Sequence, residues 1–144
     1  ETHLIPIVLQ VPLGIRKNLV IYGNDYDTED GTCIRDYIHV EDLAKAHLKG
    51  LDYLASGNPS DVFNLGSRKG FSNLEIVKTA SDVTGREIEY TFGPRRPGDP
   101  ARLIASNHKA KEILGWIPEK GLDEIIRSAW EFHQKHPHGY EGDN

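Results

Sequence analysis

Two arginines stand close to aspartates on separate segments of the chain. Arg35 is followed by Asp36, and Arg96 comes shortly before Asp99 in a segment rich in proline and glycine. A guanidinium group offers a planar fork of donors that can grip two phosphate oxygens, while a carboxylate accepts hydrogen bonds from sugar hydroxyls. These residue types indicate a site for a diphosphate that carries a sugar. Surface ion pairs, for instance of Arg35 with Asp36 or of Arg96 with Asp99, are the alternative.

Composition limits the classes of protein to which the chain can belong. Its 144 residues are 38% hydrophobic and 27% charged, which is typical of one soluble globular domain with a hydrophobic core. The net charge of -5 and the lack of a basic block argue against nucleic acid as a partner. No apolar run approaches the roughly 18 residues of a spanning helix, and no secretory leader opens the chain. We therefore expect a cytoplasmic location and no membrane partner.

Three features can carry reactive groups or metal ions, and each has a simpler explanation. Cys33 is the single cysteine, and we interpret it as a buried small residue rather than a catalytic thiol. The acidic segment 25–36 has Asp30 where a calcium loop needs glycine. The histidines at 133, 136 and 138 can bind zinc or nickel, but Pro137 interrupts their helix. No metal site is predicted.

Alternating strand and helix patterns predict an α/β fold of mixed short strands and helices. Helices are predicted at 3–13, from 40 to a stop at Gly57, from 72 to about 83, at 107–114 and at 122–135. Strands are predicted at 19–22, 35–39, 62–66, 87–92 and 103–104, with a polar loop at 24–32.

The predicted helix from Val40 carries an apolar stripe that we expect to be buried. Its members recur at intervals of three and four residues and are Leu43, Ala44, His47, Leu48, Leu51 and Leu54. The next helix opens with a capping box formed by Ser72 and Glu75. Gly66 and Gly70 lie between a strand and that helix, where they form either an anion site or a structural turn.

Several segments together resemble the C-terminal portion of the UDP-glucose 4-epimerase family, within the extended short-chain dehydrogenases. The likeness extends along the whole chain, through Trp130 and the segment 136–140. Its most specific motifs are Thr2–Pro6, Tyr22–Thr32, Arg35–Ala44, Phe63–Gly66 and Pro94–Ala101. Nucleotide-sugar dehydratases and decarboxylases of the same superfamily share only a looser arginine, aspartate and aromatic pattern.

The resemblance implies a fold, a reaction and partners for the intact enzyme. The family interconverts UDP-galactose and UDP-glucose through a transient 4-keto sugar, using bound NAD, and the intact enzyme is expected to be a homodimer. Residues 1–144 would form the C-terminal part that binds the UDP-sugar, with elements that complete a Rossmann sheet. The missing N-terminal NAD-binding domain would be the other partner.

The motifs for oxidation are not found in this sequence. None of the six tyrosines has a lysine four residues later, and no glycine fingerprint for a dinucleotide is present. We therefore expect this chain alone to be inactive and to bind no NAD. The lack of methionine and the abrupt start favour a piece of a longer protein. A non-catalytic nucleotide-sugar binding module and part of a dehydratase or decarboxylase remain as alternatives.

The resemblance also implies roles for individual residues of the substrate side. Arg35 and Arg96 match diphosphate-binding arginines, and Asp99 matches the acid that accepts from ribose hydroxyls. The remaining matches are Tyr22 beside uracil, Tyr37 in the sugar-diphosphate pocket, His3 and Leu4 under the diphosphate, and Leu103 near the position that decides whether an N-acetylated sugar fits.

One consequence concerns surfaces rather than the site. In the resembled fold, the 62–66 strand and the helix from Val40 belong to the sheet of the cofactor domain. Without that domain they would expose a strand edge and an apolar helix face. We expect such a chain to associate with itself or to exchange elements between copies.

Overall fold

A computed structural model, which describes residues 2–137 and 139, has five helices and five short strands among those residues. The helices are α1 Leu4–Leu9, α2 Val40–Ala55, α3 Asn73–Thr84, α4 His108–Leu114 and α5 Leu122–Lys135. The strands are β1 Leu19–Tyr22, β2 Ile34–Arg35, β3 Phe71–Ser72, β4 Tyr90–Gly93 and β5 Arg102–Leu103. The predicted α/β class is confirmed.

The strands form two small sheets. β1 pairs with β4 in parallel, with Leu19 opposite Tyr90 and Tyr22 opposite Gly93. β2 lies between β3, which is antiparallel to it, and β5, which is parallel to it. Because β1 and β4 run in the same direction, the loops that follow them, which begin at Gly23 and Pro94, leave the same edge of their sheet.

The larger hydrophobic core joins α1, α3 and α5 to β1. Both α1 and α3 pack against α5, and apolar side chains at helical spacing make this possible. The buried members of this core are Val8, Leu9, Leu19, Ile21, Ile76, Val77, Ala80, Ile88, Leu122, Ile126 and Trp130. The core fixes β1 and the start of α3 on the same side of the molecule.

A smaller core joins α2 to α4. Its buried members are Ala46, Ala110 and Trp116. The Trp116 indole N–H donates to the main-chain carbonyl of Asp42 at 2.8 Å. The Asp42 carboxylate is fully buried and accepts from the main-chain N–H groups of Glu119 and Lys120 at 3.0 and 2.9 Å. This small core therefore depends on a few polar bonds as well as on apolar contact.

Two helix ends are formed by the capping residues that the sequence predicts for them. The Ser72 hydroxyl accepts from the Glu75 N–H at 3.0 Å, and the Ser72 N–H donates to the Glu75 carboxylate at 2.7 Å. This is the predicted capping box of α3. Gly115 ends α4 with a φ of 61° in the left-handed region, which glycine adopts without strain.

The predicted helix over 3–13 is shorter in the structure. α1 ends at Leu9, and turns follow through residue 14. Pro12 has no N–H to donate to the Val8 carbonyl and its ring crowds the preceding turn, so the helix cannot continue. The chain instead closes with a bond from the Gly14 N–H to the Val11 carbonyl at 2.9 Å.

Two predicted strands differ in the structure. The strand expected at 35–39 is only Ile34–Arg35, because β3 and β5 each pair with those two residues alone. After it, the Asp36 carboxylate accepts from the main-chain N–H groups of Ser67 and Ala105 in place of a strand ladder. The segment 62–66 is not a strand, since the described residues give it no ladder partner. The strands predicted at 87–92 and 103–104 are found at Tyr90–Gly93 and Arg102–Leu103.

The predicted burial of the apolar stripe on α2 is wrong for this chain. Leu48 and Leu51 are each 63% exposed and Leu54 is 50% exposed, while His47 is also exposed. The buried residues of α2 are Asp42 and Ala46, which face α4 and the Trp116 loop. The expected exposure of an apolar helix face is thus confirmed. None of the described helices combines the length and apolar character that a membrane crossing requires.

Candidate functional site

A cavity of about 410 Å³ opens beside β1 and the loops at the carboxyl edge of the β1–β4 sheet. Parallel strands commonly present ligand sites at this edge, because successive loops converge there. Six of the eight residues predicted for the site line it. They are Leu4, Tyr22, Arg35, Tyr37, Arg96 and Asp99.

Arg35 is held in the cavity wall by main-chain carbonyls. Its Nη1 donates to the carbonyl of Ile34 at 2.8 Å and to that of Pro100 at 2.9 Å. Its Nη2 lies 3.5 Å from an Asp99 carboxylate oxygen. These contacts fix the plane of the guanidinium group, and a planar fork fixed in this way can bind a phosphate oxygen pair with little loss of rotamer freedom.

The two ion pairs given as examples of the alternative are not found, but Arg35 does form an ion pair with Asp99. Arg35 pairs with Asp99 rather than with Asp36, whose carboxylate serves the Ser67 and Ala105 N–H groups. Arg96 lies with its guanidinium carbon 4.2 Å from the centre of the Tyr22 ring. This stacking leaves the in-plane N–H donors of Arg96 available to an anion.

Tyr37 supplies a phenol to the cavity wall. Burial raises the pKa of Tyr37 to about 12, against the smaller opposing effect of the Arg35 charge. The hydroxyl therefore stays protonated at neutral pH and can donate a hydrogen bond to a ligand oxygen.

His3 and Leu103 do not line the cavity. His3 stands before α1 as its N-cap residue, in extended backbone and without a side-chain cap bond. Leu103 lies on β5 and is 62% exposed. Their implied roles, under the diphosphate and beside the sugar, stay predictions.

Arg16 lines the cavity but is not among the eight predicted site residues. It belongs to the turn between α1 and β1, and its Nε donates to the Gln10 side-chain carbonyl at 3.3 Å. The signal was the basic pair Arg16 and Lys17 just before a strand. With Arg16, three guanidinium groups and one carboxylate line the cavity, so its charge favours an anion.

Other predictions concern Cys33, a metal site and the residues near the C-terminus. Cys33 is buried as expected and contributes to the cavity wall. No group of three metal-ligating side chains is found in the part of the chain that the structure describes. His138, the last of the clustered histidines, and Tyr140, from the resemblance, lie outside those residues.

A second, largely apolar hollow of about 510 Å³ lies on the exposed face of α2. Its wall includes Leu51, Leu54, Phe63 and Leu65. It lacks the convergent charged groups that recognise a phosphorylated ligand. The cavity with the three arginines is therefore the candidate site.

The chain is similar in sequence to proteins of a known family. Residues 1–129 match the sequence model of a family described as GDP-mannose 4,6 dehydratase. A UDP-glucose 4-epimerase from Lacticaseibacillus casei is 57% identical over 141 residues, which cover 97% of this chain and 43% of that protein. This chain corresponds to the C-terminal portion of such relatives and spans less than half their length.

Solved structures agree with the sequence comparison. One crystal structure of a UDP-glucose 4-epimerase has a TM-score of 0.96 at 57% identity, and the match covers 99% of this chain and 44% of that one. The UDP-glucose 4-epimerase of Bifidobacterium longum, crystallised with NAD+ and UDP, has a TM-score of 0.88 at 40% identity. That match covers 96% of this chain and 41% of the Bifidobacterium chain.

Proposed function

We propose that this chain, which belongs to the family described as GDP-mannose 4,6 dehydratase, is the UDP-hexose-binding portion of an NAD-dependent UDP-glucose 4-epimerase. The observation that carries the proposal is the convergence of Arg16, Arg35 and Arg96 on one cavity that also holds Asp99. The names of the relatives support the choice of UDP-hexose and of epimerisation.

The diphosphate is proposed to lie between Arg35 and Arg96. A nucleotide diphosphate carries at least two negative charges, and bonds from arginine to phosphate are about twice as strong as neutral ones. Arg35 is oriented by two carbonyls and Arg96 by the Tyr22 ring. Both forks are therefore oriented before the ligand arrives, which reduces the entropy lost on binding.

The uridine is proposed to lie along the end of β1. Tyr22 and Val20 point away from the core there, and both line the cavity. An aromatic ring and the free main-chain groups of a strand edge can recognise a base. Asp99 would accept from the ribose hydroxyls, although this requires that it share its carboxylate with Arg35.

NAD does not fit the described residues. A dinucleotide pyrophosphate needs a glycine-rich turn at an open helix N-terminus. The first turns of α2 and α5 carry acidic residues, and the N-terminus of α3 is filled by its capping box. We therefore assign no hydride transfer to this chain and expect it to be inactive alone. NAD binding, homodimer formation and a cytoplasmic role in galactose metabolism are proposed for the whole enzyme.

A dehydratase is the second candidate, because the matching family model carries that name. The nucleotide diphosphate site would be the same in either case. The two differ in the product, since a dehydratase releases water from the sugar and an epimerase conserves its composition. Incubating the whole enzyme with UDP-galactose distinguishes them, if both the mass of the product and the appearance of UDP-glucose are measured.

The experiment that tests the proposed function is a calorimetric titration of this chain with UDP-glucose. We expect a dissociation constant between millimolar and micromolar, and competition by UDP but not by glucose. An Arg96→Ala variant should bind far more weakly. The matched control is Arg127→Ala on α5, whose exposed guanidinium pairs with Asp123 at 3.0 Å. A folded chain that does not bind UDP-glucose would contradict the proposal.

Replacing Arg16 by alanine is expected to weaken UDP binding about threefold to tenfold. Arg16 is exposed and its charge is partly screened, so its contribution should be smaller than that of the half-buried Arg35. Titration at low and at high salt checks this, because the difference between wild type and variant should shrink as salt rises. Equal affinities at low salt would show that Arg16 does not contact the anion.

A further inference from the structure

Arg95 lies next to Arg96 in sequence, but it contacts the acidic 24–31 loop. Its Nε donates to the Asp25 carboxylate at 2.6 Å, and its Nη2 donates to the Asp25 main-chain carbonyl. Its guanidinium carbon also lies 4.3 Å from the centre of the Tyr26 ring. Neither Arg95 nor Asp25 lines the nucleotide cavity.

Internal hydrogen bonds hold the 24–31 loop that makes these contacts. The Tyr26 N–H donates to the Gly31 carbonyl at 2.9 Å, and the Thr28 hydroxyl donates to the Thr32 carbonyl at 2.8 Å. The residue Tyr26 is only 6% exposed. A group that binds both Asp25 and Tyr26 is therefore held against a fixed surface.

The backbone beside this contact leaves no space for a side chain at position 23. A Cβ at Gly23 would lie 2.4 Å from Tyr26 Cε2 and 3.0 Å from Arg95 Cγ. Gly23 also has a φ of 83°, in the left-handed region, where other residues are strained. The close packing of Arg95 and Tyr26 thus requires glycine at this position.

The segment that Arg95 fixes is the one that carries Arg96 and Asp99 into the cavity. Residues 94–100 are all exposed, and the bond from the Asp99 N–H to the Arg96 carbonyl is long, at 3.3 Å. An exposed segment with so few internal bonds needs an external anchor to hold a fixed geometry.

We propose that Arg95 is a positioning residue for the nucleotide cavity. Its bonds to the 24–31 loop hold segment 94–100, so that Arg96 stacks on Tyr22 and Asp99 reaches Arg35. The inference rests on the proposed function, since it assigns the aligned groups to UDP. The exposed ion pair alone would contribute little, and the anchor gains its strength from the added carbonyl bond and ring contact.

The lowered pKa of Asp25 is consistent with the anchor and offers a direct check. The hydrogen bond from Arg95 holds the pKa of this carboxyl below its usual value, against a smaller effect of burial. In Arg95→Ala the Asp25 pKa should return toward that of an ordinary aspartate. Nuclear magnetic resonance titration of the carboxyl carbon measures this, and an unchanged pKa would mean that the contact does not exist in solution.

The first test needs no ligand. In Arg95→Ala we expect loss of the magnetic resonance contact between the Tyr22 ring and the Arg96 side chain, with roughly fivefold faster amide exchange at Asp99. Arg95→Lys should give an intermediate result, since lysine keeps the charge but not the fork. Gly23→Ala should act in the same direction by displacing the Tyr26 and Arg95 packing. Unchanged contact and exchange in Arg95→Ala would overturn the proposal.

The second test is a double-mutant cycle on UDP affinity. Arg95→Ala should weaken binding about tenfold in the wild-type background, but much less in an Arg96→Ala background, because the aligned group is then already gone. Losses that multiply would overturn the positioning role and indicate an independent contact. If the wild-type chain does not bind UDP, the proposed function fails, and the ligand-free test still decides the role of Arg95.

Discussion

Replacing Arg35 by alanine is expected to weaken UDP binding about a hundredfold. A hydrogen bond to a charged group is worth about 1.5–3 kcal/mol, and the fork of Arg35 can make two of them to one phosphate. The variant also leaves Asp99 without the guanidinium that lies 3.5 Å away. An uncompensated carboxylate would then repel the diphosphate, so the loss exceeds that of a single contact.

The Arg35→Lys variant separates charge from geometry. Lysine restores the positive charge but cannot hold two main-chain carbonyls and a phosphate in one plane, so we expect about a tenfold loss. Calorimetry with UDP measures all three proteins, and Arg127→Ala again serves as the exposed control. Binding of the alanine variant within threefold of wild type would exclude Arg35 from the diphosphate site.

Replacing Trp116 by alanine is expected to cost about 3–5 kcal/mol of unfolding free energy. Trp116 is 1% exposed and is the largest side chain of the small core between α2 and α4. Its loss leaves a cavity and removes the donor to the Asp42 carbonyl, which is bonded at 2.8 Å. Urea unfolding followed by circular dichroism measures the change.

A Trp116→Phe variant tests the contribution of the indole N–H. It fills most of the space but removes the indole donor to the Asp42 carbonyl, which lies within α2, so we expect a cost of about 0.5–1.5 kcal/mol. The adjacent Ile117, which is 48% exposed, gives the control, since Ile117→Ala should change stability by less than about 0.5 kcal/mol. A Trp116→Ala variant as stable as that control would show that the small core does not form in solution.

Features with local causes could be predicted from the sequence. The capping box of α3, the glycine stop of α4 and the whole span of α5 were predicted because each depends on residues within one or two turns. The site prediction likewise depended only on residue types and on their near neighbours in the sequence. It named Arg35 and Arg96, which the structure brings to one cavity.

Features with distant causes could not be predicted. The lengths of β2 and β3 depend on which segments pair with them, and the alternation over 35–39 says nothing about the partner. The stripe on α2 has the spacing of a buried face, but periodicity does not say what covers that face, and its exposure was expected only from the resemblance. The basic pairs that contain Arg16 and Arg95 were visible in the sequence, but the different positions of these two residues depend on how loops from separate elements meet.

The presence of two separate cores has a consequence for how the chain unfolds. Most cavity residues lie on α1, on β1, at the start of α3 or in the loops beside them, and Arg35 lies on β2. None of them lies on α2 or α4, which form the smaller core with Trp116. A ligand stabilises only the conformations that retain its site, in proportion to the logarithm of its concentration. Nucleotide should therefore delay melting of the α1, α3 and α5 unit while leaving the α2 and α4 unit almost unaffected. A single cooperative transition in the free chain would then divide into two as the nucleotide concentration rises.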